Sequence, residues 1–288
     1  MLPTIITSLT AAPGAGFGAS VALNRQGSVA AIGGPWYGTS LLPHQGAGPV
    51  FSWAGSIRSM TGNTLEVSPP GAFHSLGVSV ALNGNGDTIL LGAPGNGVSP
   101  NNGQGFALAF DLVGGVWIQR GGPIVPADPS SGDYFGNSVS LSNDGNTAVV
   151  AGWHANVSGN VNQGSARVFV WTGSSWDQLG QALTPSNVDP FDYFDESVAI
   201  AAKHTTSANL RSVIVGGWSD TIGANIHQGS AQVFDWNGST WLERGAASTL
   251  TLGSAGDRAG WSVDISADGK TAVVGAPLRD VGGNLDQG

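Results

Sequence analysis

The chain has 288 residues, of which 46 are Gly, 41% are hydrophobic and only 10% are charged; its formal net charge is −9 and it has no Cys. The apolar content is too high and the charge too sparse for a disordered polyelectrolyte. The absence of Cys excludes disulfides, thiolate metal sites and Cys nucleophiles. Only 10 Lys and Arg are present and none form a run, which argues against nucleic acid or an anionic membrane surface as partner.

The first residues, MLPTIITSLTAAPGAG, lack a basic start and a long apolar centre, so they do not read as a signal peptide. No apolar run approaches the ~20 residues of a membrane-spanning helix. What the chain does contain is an internal repeat. Aligning on a Phe-Gly position places Gly18, Gly77, Gly136, Asp195 and Gly260 at intervals of 59, 59, 59 and 65 residues. Aligning on Gln-Gly places Gly46, Gly105, Gly164, Gly229 and Gly288 at intervals of 59, 59, 65 and 59. The two ladders locate one six-residue insertion between Asp195 and Gly229.

Each unit, starting near residues 17, 76, 135, 194 and 259, reads as short strands in a fixed order. The first carries Ser-Val-x-aliphatic in all copies: Ser20-Val21-Leu23, Ser79-Val80-Leu82, Ser138-Val139-Leu141, Ser197-Val198-Ile200 and Ser262-Val263-Ile265. Alternation puts Val and Leu or Ile on one face and Ser on the other. A tight Asn- or Asp-Gly turn follows, except in the fourth copy, where AAKHTTSANLRS holds the insertion. One hairpin, with its tip at Lys203 to Arg211, is therefore expected to protrude.

The second strand is an apolar run such as Ile89–Leu91 or Val213–Val215, which implies cover on both faces. It ends at a corner: Gly33-Gly34-Pro35, Gly92-Ala93-Pro94, Ala151-Gly152-Trp153, Gly216-Gly217-Trp218 and Gly275-Ala276-Pro277. A polar loop leads to Gln-Gly and then to a third strand containing Phe51-x-Trp53, Phe110-x-Leu112, Phe169-x-Trp171 or Phe234-x-Trp236. A fourth strand opens with Trp117, Trp176 or Trp241, while the first copy has none in Ile57 to Leu65. No stretch has helical periodicity. Four-stranded units recurring at this length, with Gly and Trp at fixed offsets, predict an all-β β-propeller as a single domain over residues 1–288.

The fifth copy ends at Gln287-Gly288, before a third strand, and Ile5 to Leu9 match a fourth strand rather than a first. The expectation is an incomplete last blade in a piece of a longer chain; the alternative is a five-blade ring with one defective blade.

Phe17-Gly18 and Phe135-Gly136, with Gly92-Ala93-Pro94 and Gly275-Ala276-Pro277, resemble the FG-GAP repeats of the integrin α-subunit N-terminal propeller and its bacterial and algal relatives. The resemblance spans all five units. It implies the propeller fold and, more loosely, a binding or adhesion role at the cell surface or outside the cell, since one fold hosts many functions. Many members carry an Asp-rich calcium loop between strands one and two. Here NRQG, NGNGD, SNDGN and SADGK each hold at most one carboxylate, too few for a six- to eight-oxygen site. No calcium, other metal or cofactor is expected.

Asp189, Asp192, Asp195 and Glu196 form the densest acidic cluster. Asp133, Asp192 and Asp257 share one repeat position, which suggests a turn-capping Asp, whereas Asp195 stands where the other copies have Gly. His44, His74, His154, His204 and His227 show no ligand spacing and read as loop residues. Trp53, Trp117, Trp171, Trp176, Trp236 and Trp241 recur at fixed offsets and read as packing between blades. Trp36, Tyr37, Trp153, His154 and Trp218 begin the two–three loops, where corner packing and an exposed platform for a ligand both remain open. With Asp195, they are the candidate ligand-binding residues. Asp264 sits alone in the small-residue row of strand one, and Asn156 and Asn237 begin weak glycosylation sequons.

The absence of a nucleophile elbow, phosphate loop or metal helix points to a non-enzymatic module binding a protein or glycan. The alternatives are a structural or accessory module of a larger protein, and a hydrolase or lyase with carboxylates around the channel.

Overall fold

The computed structural model describes residues 14–54, 57–95, 102–156, 162–184, 194, 196–205, 208–245, 253–282 and 284–288. No helix occurs among them. They form eighteen strands in five antiparallel sheets, four of four strands and one of two.

Blade 1 contains β1 (Ser20–Leu23), β2 (Val29–Gly33), β3 (Val50–Ala54) and β4 (Ile57–Met60). Blade 2 contains β5 (Val80–Leu82), β6 (Thr88–Ala93), β7 (Phe106–Val113) and β8 (Val116–Gln119). Blade 3 contains β9 (Ser138–Leu141), β10 (Thr147–Gly152), β11 (Ser165–Trp171) and β12 (Trp176–Gln178). Blade 4 contains β13 (Ser197–Thr205), β14 (Ala208–Gly217), β15 (Ser230–Trp236) and β16 (Trp241–Glu243). Blade 5 contains β17 (Ser262–Ile265) and β18 (Ala272–Gly275). Within each blade the strands pair in chain order, the up-and-down arrangement of β-propeller blades.

The six inserted residues lengthen a hairpin. β13 and β14 run to nine and ten residues, and their pairing extends to Thr205 opposite Ala208. As far as Thr205 and Ala208 the hairpin is thus a continuation of the sheet.

The turn between the first two strands is wired by its own side chains. The Asn24 Oδ1 accepts from the backbone N–H of Ser28 and Val29, and the Asn83 Oδ1 from Gly86, Asp87 and Thr88. In blades 3 and 5 a Ser–Asp pair does the same work: Ser142 donates to Asp144, and Ser266 to Asp268.

Burial follows the stacking of blades. β6 and β10 are buried along their whole length, because each lies between two neighbouring sheets. One apolar cluster joins Leu90, Ala107 and Ala109 of blade 2 to Val139, Leu141 and Phe169 of blade 3. Another joins Val149 and Val168 of blade 3 to Val198, Val213 and Phe234 of blade 4. The outer Trp residues complete the seams. The Trp117 indole donates to the Thr61 carbonyl at 2.8 Å, Trp176 to Arg120 at 3.1 Å and Trp241 to Leu179 at 2.8 Å, each to the preceding blade.

The two outermost blades lack this cover. Val21 and Leu23 of β1 are 70% and 63% exposed, although their counterparts Val139 and Leu141 are buried. On the other side Val273 of β18 is 66% exposed, while Val149 at the matching position is buried. Among the described residues the blades therefore make an open arc.

Candidate functional site

The repeat motif explains how the blades are joined, and so which residues are left over for function. Gly77, Gly136 and Gly260 of the Phe-Gly position have φ near +90°, a backbone region that Gly enters without a Cβ penalty. Each turns its carbonyl toward the previous blade. Ser20 donates to Gly77 O at 2.8 Å, Ser79 to Gly136 O at 2.8 Å and Ser197 to Gly260 O at 3.0 Å. The corner glycine opposite the serine has to be bare: a Cβ on Gly33, Gly92 or Gly216 would collide with that same carbonyl oxygen. Serine, corner glycine and Phe-Gly glycine are thus one device. At the seam between blades 3 and 4 the corner residue is Ala151, and the Phe-Gly glycine is replaced by Asp195. Ser138 there accepts from the Val198 N–H at 3.2 Å. Asp195, with Asp189 and Asp192, lies outside the described residues.

The loops between strands two and three and those entering strand one share one face. Their repeated residues have structural roles. Asp133 and Asp257 are buried, and each accepts from a backbone N–H three residues earlier, Ser130 or Ser254, at 2.8 Å. Burial pushes the Asp133 carboxyl above its ordinary value despite the Ser130 hydrogen bond. His44 and His227, both before Gln-Gly, adopt φ of 52° and 54°, as do Asn162 and Asp286 at 52° and 51°. That shared backbone accounts for their position without a metal, and no three His, Asp or Glu converge on a metal-sized site among the described residues.

The sequence candidates separate into three places. Trp36 packs over Gly16 in blade 1 and is 52% exposed. Tyr37 follows it in the corner, where its N–H donates to Gly34 O and its carbonyl accepts from Gly46 N. In blade 3, Trp153 and His154 meet with ring centroids 4.2 Å apart, and Tyr134 joins them at 6.1 and 5.2 Å. Burial lowers the affinity of His154 for a proton.

The third place, between blades 4 and 5, is richer. Trp218 stacks on His227 with centroids 6.2 Å apart and planes 19° apart. The His227 Nδ1 lies 2.9 Å from the Ser219 hydroxyl. On the other side Trp261 approaches Trp218 at 5.6 Å, and it is 44% exposed. The Arg258 guanidinium sits 4.9 Å from the Trp218 ring centre and 5.8 Å from that of Trp261. Trp218 is also hydrogen-bonded to Glu196, whose carboxyl burial raises above its ordinary value in spite of that bond. Of these residues only Trp218 and Glu196 were singled out in the sequence as candidate chemistry; Trp261 and Arg258 were missed. The missed signal is non-repetition: at the Arg258 position the other described copies have Gly16, Ser75 and Tyr134, and at the Trp261 position Ala19, Val78, Asn137 and Glu196.

Asp264, the lone acid of the strand-one row, is exposed and accepts from the N–H of Ile265 at 2.8 Å. It and Glu196 therefore engage different partners.

A family model described as an FG-GAP repeat matches residues 121–169, which run from the end of blade 2 through most of blade 3. No curated protein matches the chain. Among solved structures the chain is similar to a crystal structure of Sqt1 from Saccharomyces cerevisiae, with 9% identity and a TM-score of 0.46 over 80% of this chain and 48% of that one. The chain thus spans about half the length of that protein as crystallised. Residues 121–169 thus match an FG-GAP repeat, and the chain that carries them is built of β-propeller blades.

Proposed function

We propose that the chain is a non-enzymatic binding module that holds a protein or glycan ligand on the loop face, at the junction of blades 4 and 5. The observation that carries this reading is the Trp218–Arg258–Trp261 group. It combines an exposed aromatic surface with a guanidinium already held in place, the composition that dominates binding hot spots. The repeated residues on this face serve blade closure, whereas Arg258 and Trp261 are particular to this junction. The Tyr134–Trp153–His154 cluster of blade 3 is the secondary contact.

FG-GAP repeats are typical of extracellular proteins, which favours a ligand met at the cell surface or outside the cell. No helix among the described residues is long and apolar enough to cross a membrane.

Glycan and protein arrays probed with the purified chain test the reading. The expected result is retention of at least one ligand class, weakened by Trp261→Ala and Trp218→Ala. Because Trp218 also packs inside the corner, Trp261→Ala is the decisive variant, its ring being exposed. Binding unchanged by both substitutions would sink the proposal.

A further inference from the structure

Resting on that reading, we infer that the blade 4–5 site takes a carboxylate-bearing sugar, with the pyranose on Trp261 and the carboxylate in the fork of Arg258. Arg120, Arg167 and Arg244 each pair with an aspartate, Asp111, Asp128 and Asp235, at 3.3, 2.6 and 2.6 Å. Among the described residues Arg258 makes no such pair; what sets it apart from Arg25, Arg211 and Arg279, which make none either, is its place against two indole rings. Its side chain is held by two indole faces, and its left-handed backbone, φ 57°, donates to the His227 carbonyl at 3.1 Å. The adjacent acids are engaged elsewhere, Asp257 by Ser254 N and Glu196 by Trp218.

A stacked guanidinium keeps its N–H edge free while its orientation is fixed. That edge matches a planar carboxylate through two parallel hydrogen bonds, which a point-charge ammonium does not reproduce. The chain around it carries a net charge of −9, so long-range attraction does not draw an anion in, and recognition has to come from this local geometry.

The second half of the ligand follows from Trp261. A half-exposed indole beside a charged fork offers a flat apolar face to a sugar ring. A peptide would be favoured by an unpaired strand edge, where main-chain bonds supply affinity. On this face the backbone nearest Arg258 is already bonded: His227 O accepts from Arg258 N, and Gln228 O from Ala259 N.

The test uses calorimetric or fluorescence titration of the whole chain with four probes: a galacturonic acid oligomer, its fully methyl-esterified form, a glucuronic-acid disaccharide and a Glu-rich peptide. The expected result is binding of at least one acidic sugar, at least tenfold weaker binding of its ester, and a comparable loss in Arg258→Gln with partial retention in Arg258→Lys. The ester comparison needs no variant, so it holds even if an Arg258 substitution disturbs the fold. Equal affinity for acid and ester, or binding of the peptide alone, overturns the acidic-sugar assignment. A neutral glycan or protein retained through Trp261 but indifferent to Arg258 overturns it while leaving the binding function standing. No retention of any glycan or protein overturns both.

Discussion

The Ser79 hydroxyl donates to the carbonyl of Gly136 at 2.8 Å, across the boundary between blades 2 and 3. Directly beside that bond, Gly92 leaves no room for a side chain. Ser79 and Gly92 face each other in one hairpin, but Gly136 lies 57 residues from Ser79, and that spacing makes sense only once the blades are stacked. Gly92→Ala should destabilise the chain by about 1–3 kcal/mol, as overpacking against backbone does. Ser79→Ala should cost about 1 kcal/mol for a single neutral hydrogen bond. Urea denaturation of both variants checks the order; a Gly92→Ala protein as stable as the parent would contradict the close approach.

Two arginine clamps lie at the opposite ends of the same seams. Arg120 pairs with Asp111 and donates to Gly145 O at 3.1 Å, in the next blade. Arg244 pairs with Asp235 and donates to Gly269 O at 2.5 Å, again in the next blade. The Arg120 side chain is largely buried and that of Arg244 much more exposed. Arg120→Ala should therefore cost about 1.5–3 kcal/mol, since it removes charge-assisted hydrogen bonds of a largely buried guanidinium, and Arg244→Ala only about 0–1 kcal/mol. Thermal or urea melts distinguish the two.

The second clamp has a pH signature. The hydrogen bond from Arg244 is the largest influence on Asp235 and holds its carboxyl below its ordinary 3.8. A depressed folded-state pKa adds stability that is present above the unfolded value and lost as pH falls through the folded one. Stability should decline as pH drops below about 4, and the Arg244→Ala difference should shrink over the same window. A difference that stays constant from neutral pH to pH 2 would contradict the pairing.

Glu196 has the opposite sign. Burial raises its carboxyl, so the ionised form opposes folding above the raised value and the penalty is relieved as pH falls below it. Glu196→Gln keeps an acceptor for Trp218 and removes the charge. It should raise the unfolding midpoint at pH 7 and have no effect well below the carboxyl's range. A destabilised variant at pH 7 would show that the charge itself is needed.

The open arc predicts unequal results at equivalent positions. Leu141→Ala should cost about 2–5 kcal/mol, as for a buried core leucine. Leu23→Ala should stay within about 0.5 kcal/mol, as for an exposed site. Equal losses would mean that Leu23 is covered.

The blade pattern was legible in the sequence because each blade must meet its neighbours in the same way. Ser138, Val139, Phe169 and Trp176 repeat since the seam repeats. Strand order, the lengthened blade 4 hairpin and the capping role of Asp133 followed from the same regularity. What the sequence could not show was which repeated residues touch across blades, because Ser20 and Gly77 become neighbours only on stacking. The candidate site was half legible. Trp218 stood out at a corner where three of the other copies have Pro, but Arg258 and Trp261 lie at the start of the next unit, and only three-dimensional contact joins them to it. Trp36 and Tyr37 were grouped with Trp153 by their place in the repeat, yet a separate blade holds them.

The most direct measurement for the account as a whole is hydrogen–deuterium exchange of the chain with and without a ligand retained on the arrays. The predicted result is added protection in residues 218–229 and 253–261, where Trp218, His227, Arg258 and Trp261 meet. Protection confined to the hairpin turns at 143–146 and 267–270, or an array that retains nothing, would contradict it.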